Sequence, residues 1–431
     1  MSTDEFDVVV VGGRCAGASL AIRLARAGLR VCVHDRAHFP SDVPSTHGIQ
    51  PAGVAILREL GCFERLATLT EPINRGTLVV DEARIEFDDA DELLGAPMLN
   101  LRRHVLDTVL LETAAEAGAE IRTRTAVTGL LQEHGRVVGV LTGDGPVRAR
   151  LVVGADGARS TVARLAGAEE YRRTPPGRLF VWGYFEGTDH PTGHVWLGRI
   201  GDHGFLASPT DGGCFMAVVA VSMERKAEVL ADRPAAFAEG LRDWPELDAV
   251  VASGRRTGPL HVVPEWHGYF RRSAGPGWVL VGDAGHFKDP TPGQGIADAL
   301  RQTTTLAPVV VRGLEAGAPD LDDALRRWWS WRDRDAWAMY WFARDLGAAG
   351  PLPLLQREVL RRVAADPRRS RHLLQVLNHD VPPGRLFTVP FALTALAGAL
   401  VTKKGQRTRL LRDAGTVVAD ELRHLRPPRA S

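Results

Sequence analysis

Two periods of apolar residues run along this chain, and where one gives way to the other predicts its elements. Phe6–Val11 is a short run rich in valine, the pattern of a buried parallel strand. Gly12-Gly13-Arg14-Cys15-Ala16-Gly17 turns the chain. Ala16 to Ala27 then follows a helical period, with Leu20, Ile22, Leu24 and Ala25 apolar and Gly28 as stop. Leu29 to His34 reads as a second strand ending in Asp35-Arg36, completing one βαβ unit in about thirty residues.

The same reading predicts a helix from Val54 to Leu66 and another opened by Arg103, with Val105, Leu106, Val109, Leu110 and Ala114 apolar and Gly118 as stop. Strand-like runs follow at 120–125, 136–142 and 150–153. From 178 to 222 the pattern switches to short alternating runs, Leu179–Phe185 and Cys214–Val221, between turns rich in glycine and aspartate. That predicts an antiparallel sheet added to the α/β portion. After Gly277–Val281 a glycine-rich loop leads to a helix from about Gly295 to Leu314. Beyond Asp320 the chain reads as mostly helical, and Trp328, Trp329, Trp331, Trp337 and Trp341 fall at spacings that suit a core. Leu386 to Val401 is uncharged for 16 residues and leads to Lys403 and Lys404. It is shorter than the ~18–20 residues of a membrane span and Pro390 interrupts it, so a buried helix is expected. Contact with a membrane surface or an apolar substrate is the alternative.

Composition narrows the classes. Of 431 residues, 45 % are hydrophobic and 24 % charged, which excludes disorder and fibrous folds. The 53 basic and 52 acidic side chains leave a formal charge of +1, so no global field favours nucleic acid. Only four of the basic residues are lysine: 226, 288, 403 and 404. Cys15, Cys32, Cys62 and Cys214 give neither a disulfide framework nor paired metal spacing, which fits a reduced cytoplasm. Met1 to Asp7 is acidic and polar, without the pattern of a signal peptide.

Three motifs carry candidate chemistry. Gly12 and Gly17 fill the first and third places of the dinucleotide-binding G-x-G-x-x-G turn, while Arg14 occupies the second, where glycine normally clears the phosphate path. Gly13 either relieves the turn, or Arg14 points away or covers the phosphates. Asp35 stands where a carboxylate can accept from adenosine ribose hydroxyls. The second motif is Gly154-Ala155-Asp156-Gly157, after an apolar strand. The third is Val281-Gly282-Asp283-Ala284-Gly285-His286, followed by Asp289-Pro290-Thr291-Pro292-Gly293-Gln294-Gly295-Ile296. An aspartate closing a buried strand can reach a cofactor lying across the sheet edge, and the glycine-rich loop starts a helix whose free N–H groups attract an anion.

In their order and spacing these motifs resemble the FAD-dependent monooxygenases of the para-hydroxybenzoate hydroxylase type, relatives of the geranylgeranyl reductases and flavin halogenases. The likeness covers about residues 5–165 and 275–310. It implies an α/β fold: a Rossmann-like FAD-binding domain in three parts (1–75, 98–172 and 275–318), an inserted antiparallel-sheet substrate domain (76–97 and 173–274) and a helical carboxyl-terminal region (319–431). It also implies that Asp35 binds the adenosine ribose, Asp283 the ribityl chain, and that Arg103 approaches the cofactor chain. Asp156 and Gly157 would line a cleft shared by FAD and NAD(P)H. Pro290 would lie against the flavin ring, with Gly293 in the same loop and the N–H groups of Gly295 and Ile296 at the pyrimidine edge, where the helix stabilises reduced flavin.

The chain also departs from the family. Many hydroxylases place an arginine near position 45, where this chain has Ser45-Thr46-His47, so the pyrophosphate needs another cation, Arg14 or Arg36. The halogenase W-x-W-x-I-P is missing and no lysine precedes residue 226. The resemblance implies a cycle in which NAD(P)H reduces FAD and reduced flavin traps dioxygen as a hydroperoxide that oxidises a small molecule. A reductase of isoprenoid double bonds and a flavin-dependent non-redox enzyme are the rivals. Trp182, Trp196, Phe205 and Phe215 are candidate walls of the substrate site, though each also suits ordinary sheet packing. His47, close to the isoalloxazine in the family fold, is the candidate base or donor, with a structural hydrogen bond as the plainer role. Lys288 would pair with Asp289 at the surface.

Overall fold

A computed structural model of the chain describes residues 5–42, 45 and 47–424, with side chains through Thr416. Its first layer is a parallel sheet running Trp278–Leu280, Gly145–Gly154, Glu5–Val11, Val31–His34, Glu120–Arg122. The valine run of the opening strand is buried on both faces, and successive side chains serve different cores. Val8 and Val10 pack with Leu20, Leu24, Leu110 and Leu300, from the helices Cys15–Arg26, Arg103–Glu116 and Gly295–Ala316. Val9 and Val11 pack with Val140, Val147 and Val162 on the other side. There the antiparallel pair Val127–Glu133 and Arg136–Thr142 covers the sheet; the first of these strands is not singled out by the sequence pattern.

The second layer is a seven-stranded sheet, ordered Arg255–Val263, Arg178–Glu186, Cys214–Ser222, His203–Thr210, His194–Ile200, Arg75–Val80, Ala83–Phe87. It is antiparallel except where Arg75–Val80 runs parallel to His194–Ile200. One face packs against helices Arg233–Leu241 and Pro245–Ser253 through Phe237, Leu241, Trp244 and Leu247. The helices after Ala318 close its far edge, where Leu78, Val80 and Ile85 meet Met339, Val363 and Leu373.

Two elements differ from the sequence reading. The helix expected from Val54 to Leu66 is two, Pro51–Glu59 and Phe63–Ala67. Gly61 lies between them at φ +74°, and the Cys62 N–H bonds back to the Leu57 carbonyl, a left-handed stop that ends the first helix. The uncharged segment near 386–401 forms helix Val389–Thr402, with Pro390 in its first turn, where a proline is tolerated. That helix is not buried: Val389, Leu393 and Val401 are exposed. Among the described residues no helix is long and apolar enough to cross a membrane.

Gly17 is the tightest point of the βαβ unit. A Cβ there would lie 1.8 Å from the Gly12 carbonyl oxygen, which cannot move without unpairing the strand. Gly17→Ala is therefore expected to lower stability by about 2–3 kcal/mol, measured by denaturant unfolding. A change below about 0.5 kcal/mol would mean that the turn relaxes freely.

Candidate cofactor and active site

The turn after the first strand is built from backbone that only glycine allows. Gly12 sits at φ +104°, and a Cβ on it would meet the Ala155 carbonyl oxygen at 2.4 Å. The next residue, Gly13, donates its N–H to Asp35 Oδ2 at 2.8 Å, and Asp35 Oδ1 accepts from Ala37 N at 2.7 Å. Asp35 thus fastens the turn to the end of the second strand. Helix Cys15–Arg26 starts directly behind, with no side-chain cap and no acid in its first turn, so its free N–H groups face outward unopposed.

Arg14 neither crosses the phosphate path nor floats in solvent. Its Nη1 pairs with Asp107 Oδ2 at 2.8 Å, its Nη2 donates to Ser41 Oγ at 3.1 Å, and the guanidinium lies 5.5 Å above the Phe39 ring. Asp107, fully buried, also accepts from Arg103 Nη2 at 2.9 Å and from the Cys15 thiol at 3.3 Å. Burial, then the Asp107 charge working against Arg103, pushes the Cys15 thiol up to about 12, so it acts as a donor and not as a nucleophile. Two guanidiniums share one carboxylate beside the turn, while the Asp35 carboxylate is held by the turn's own Gly13 N–H. By contrast, Arg36 is exposed and makes no ion pair among the described residues. Ser45 is half-buried, and Thr46 lies outside the described residues.

At the third motif the Asp283 carboxylate makes no hydrogen bond or ion pair among the described residues, although protein surrounds it. Burial pushes it up to about 6, against the pull of Arg103. A carboxylate without donors, opening partly onto the cleft, suits a ligand rich in hydroxyls. The following loop is stitched from all sides: Gln50 Nε2 donates to the Pro292 carbonyl at 3.0 Å, and Asp289 accepts from the Thr291 amide and hydroxyl. Pro290 and Gly293 are half-buried within it, Gly293 at φ +66°. Gly295 opens helix Gly295–Ala316 exposed to the cleft, with Ile296 buried behind it.

Lys288 corrects the sequence reading. It is buried, and its partner is Asp298, with Nζ–Oδ2 at 2.5 Å, not Asp289. Gln294 Oε1 accepts a second bond from the lysine at 2.6 Å. His379 approaches the other Asp298 oxygen at 3.1 Å. Burial alone would raise the Asp298 pKa, but Lys288 and His379 hold it far below the carboxylate range.

His47 is fully enclosed. The Asn100 amide nitrogen donates to Ser208 Oγ, so its oxygen takes the proton of His47 Nδ1 at 2.9 Å. Nε2 is then left to accept from the Tyr184 hydroxyl at 2.6 Å. Burial, helped by Arg103, lowers the imidazole to about 3, so the ring is neutral in this setting. Burial likewise holds the Tyr184 phenol up to about 12. Of the four aromatic wall candidates, only Trp182 shares the face of Tyr184, stacked on His261 at 5.4 Å. Trp196, Phe205 and Phe215 belong to the opposite face, packed with Trp244 and Phe237 beneath the two helices. Strand periodicity fixes this split, and sequence alone does not say which face is which.

In the second motif, the Asp156 carboxylate accepts from Ser160 Oγ at 2.5 Å and Thr161 N at 2.6 Å and so starts helix Thr161–Leu165. Gly157 adopts φ +76° at the following turn. Beside this loop lies a cavity of about 450 Å³ lined by Arg159, Lys226, Trp266 and His267, among others. Tyr269 ties this loop to the third motif by donating to the Asp283 carbonyl at 2.6 Å.

These features fit FAD: a glycine turn that a Cβ would block, the free N–H groups of a helix start for a pyrophosphate, and an unpaired carboxylate for ribityl hydroxyls. Asp107, Asp298 and Tyr184, which organise the site, escaped the sequence reading. Only Asp107 had a local signal, four residues after Arg103 on one helix face.

The family described as FAD binding domain matches residues 5–325. A 6-methylpretetramide 4-monooxygenase from Streptomyces rimosus is 31 % identical over 320 residues, covering 72 % of this chain and 76 % of its own. A digeranylgeranylglycerophospholipid reductase from Methanocella arvoryzae is 29 % identical, covering 73 % and 79 %. Among solved structures, a flavin-dependent brominase superposes with a TM-score of 0.73 at 17 % identity, over 93 % of this chain and all of that one. The last likeness concerns the fold alone.

Two outcomes test the geometry. Hydroxyl donors to Asp283 favour its ionised form, so binding FAD below about pH 6 must release a proton. FAD affinity should then rise from about pH 5 to 7 and level off, with Asp283→Asn about tenfold weaker and lacking that rise. An identical slope in the variant, read by fluorescence titration, would remove Asp283 from the ligand. Arg14→Gly restores the standard turn but removes one of the two cations. It should weaken FAD by about tenfold at low salt, the loss narrowing as salt screens the charge; unchanged affinity at every ionic strength would show that helix N–H groups suffice.

Proposed function

Since the chain belongs to the FAD binding domain family and is an FAD-dependent oxidoreductase, we propose that it is a monooxygenase. It would oxidise NAD(P)H and transfer one atom of dioxygen to an electron-rich aromatic or apolar small molecule, with water formed from the other. Bound FAD supplies the redox chemistry: it accepts the hydride and, once reduced, activates dioxygen.

The observation that carries this reading is the aromatic face of Trp182, Tyr184, His261 and His47, next to the loop that holds the flavin-type site, with the Arg102 guanidinium 5.5 Å above the Tyr184 ring and paired with Asp211. Water exclusion is what such chemistry asks of the protein, because activated oxygen is wasted when protons reach it freely. Burial keeps His47 neutral and Tyr184 protonated, so these two side chains offer hydrogen bonds without carrying charge themselves. The residues would divide the remaining work. The turn Gly12–Gly17 with Arg14 and Arg103 holds the pyrophosphate, Asp35 the adenosine ribose and Asp283 the ribityl chain. Pro290 and Gly293 bring the loop to the ring, and the N–H groups of Gly295 and Ile296 stabilise negative charge on it. Asp156 and Gly157 shape the loop beside the cavity of Arg159 and Lys226, where Lys226 pairs with Glu265 and Arg159 is the cation suited to a phosphate of NAD(P)H. Four buried thiols agree with a cytoplasmic setting.

A reductase is the second reading, favoured by the likeness to the digeranylgeranylglycerophospholipid reductase. Dioxygen decides between them. A monooxygenase should consume NAD(P)H and dioxygen one to one, place labelled oxygen from the gas in its product, and stop under nitrogen. Turnover of an alkene or quinone under nitrogen, with no label gained, would replace the monooxygenase by the reductase.

The buried histidine gives a pH test. Its folded pKa, about 3, lies below the unfolded value of 6.5, so the unfolded chain binds the extra proton between them. Stability from His47 is therefore present above the unfolded pKa and falls as the pH drops toward 3. His47→Gln should flatten that acid loss in urea titrations while leaving the activity profile between about pH 6 and 9 without a missing ionisation. A lost limb in that range would restore His47 as a titrating base.

A further inference from the structure

Seven large apolar side chains are exposed among the described residues. Leu69, Leu141 and Leu230 are scattered and only 39–43 % exposed. The other four, Val389, Leu393, Val401 and Leu411, are 57–72 % exposed and fall within one stretch of 23 residues. Helix Val389–Thr402 is apolar on both sides: it packs Phe391, Ala395, Leu396, Ala399 and Leu400 inward, against Leu354 and Leu355 of helix Leu354–Ala364 among others, and turns Val389, Leu393 and Val401 to solvent. A helix that merely closes a core carries polar residues on its outer face. Contiguous exposed apolar surface of this kind marks an interaction site.

We propose that this face docks the protein on the surface of an anionic lipid bilayer. Charge selects the occupant. Between 386 and 416 the chain carries five cations, Lys403, Lys404, Arg407, Arg409 and Arg412, and one acid, Asp413. That acid faces inward and accepts from the Leu354 N–H at 2.7 Å. None of the five cations forms an ion pair among the described residues, and Arg407 Nε is turned to the Leu400 carbonyl at 2.8 Å, beside the apolar face. Apolar side chains flanked by basic ones are what an interfacial helix presents to acyl chains and anionic headgroups. With 14 residues the helix is too short to cross a bilayer and lies along it. A second copy of this chain is the poorer occupant, because a two-fold contact would set the cationic cluster against itself. The inference rests on this surface and stands apart from the reaction class.

Flotation of the full-length holoprotein with lipid vesicles tests it. Vesicles of phosphatidylcholine with about a third phosphatidylglycerol should bind at least about tenfold more protein than phosphatidylcholine alone, and high salt should reduce the difference. Leu393→Glu, and separately the pair Lys403→Glu with Lys404→Glu, should each lower binding about tenfold with flavin content and melting temperature unchanged. Equal binding to both vesicle types, or binding that neither variant weakens, would overturn the proposal. So would a concentration-dependent dimer, seen by sedimentation without lipid, that Leu393→Glu disperses.

Discussion

Asp107 has no exposed surface, and a carboxylate so placed persists as an anion only if cations reach it. Two do: Arg14 from the glycine turn at 2.8 Å and Arg103 from its own helix at 2.9 Å, with the Cys15 thiol as a third donor. The pairing ties the first turn of Cys15–Arg26 to the start of Arg103–Glu116, and Arg14 carries the tie on to Phe39 and Ser41 in the loop after the second strand. Removing either arginine alone would leave a buried charge partly unpaired, so the three residues function as one unit. Within the unit one negative charge meets two positive ones.

Charge in this molecule is segregated around that unit. On the turn side stand Arg14, Arg103 and Asp283. Elsewhere in the site His47 and Tyr184 are polar but neutral, because desolvation lowers the imidazole and raises the phenol. Asp298 and Lys288 neutralise each other behind the loop. A cleft arranged in this way can hold a multiply charged cofactor at one end and an apolar substrate at the other without exposing either to the wrong field.

What the sequence revealed follows from how local each feature is. The glycine turn, the strand ends at Asp35 and Asp283, and the helix from Gly295 are set by backbone sterics within a few residues, so their pattern was readable. Asp107 with Arg14, and His47 with Tyr184, join positions 93 and 137 residues apart, and no periodicity encodes such pairs. The same limit placed Lys288 beside its neighbour Asp289 when its partner is ten residues on, across the loop. Alternation in 178–222 identified the sheet but not which face meets the flavin-binding layer, so three of four aromatic candidates fell on the far side. Gly61, by contrast, was a legible stop, passed over because the apolar period continues through it.

The FAD-binding match ends at residue 325, yet residues well past it hold the cofactor loop in place. The Gln294 side chain donates to the Leu377 carbonyl at 2.7 Å, His379 reaches Asp298, and Asn378 caps the Ala52 N–H at 2.8 Å. The carboxyl-terminal helices are therefore a buttress, clamping the loop that precedes Gly295 from the side opposite the sheet. Their inner faces are constrained by that contact, while their outer faces are free of it. A region constrained on one side only can vary in what it presents outward without disturbing the flavin site, and here the outward side of Val389–Thr402 carries the molecule's most exposed apolar surface. Position and chemistry are thus separated in this fold: the glycine motifs shape the turn and the loop, and the helices behind them carry the outward apolar face.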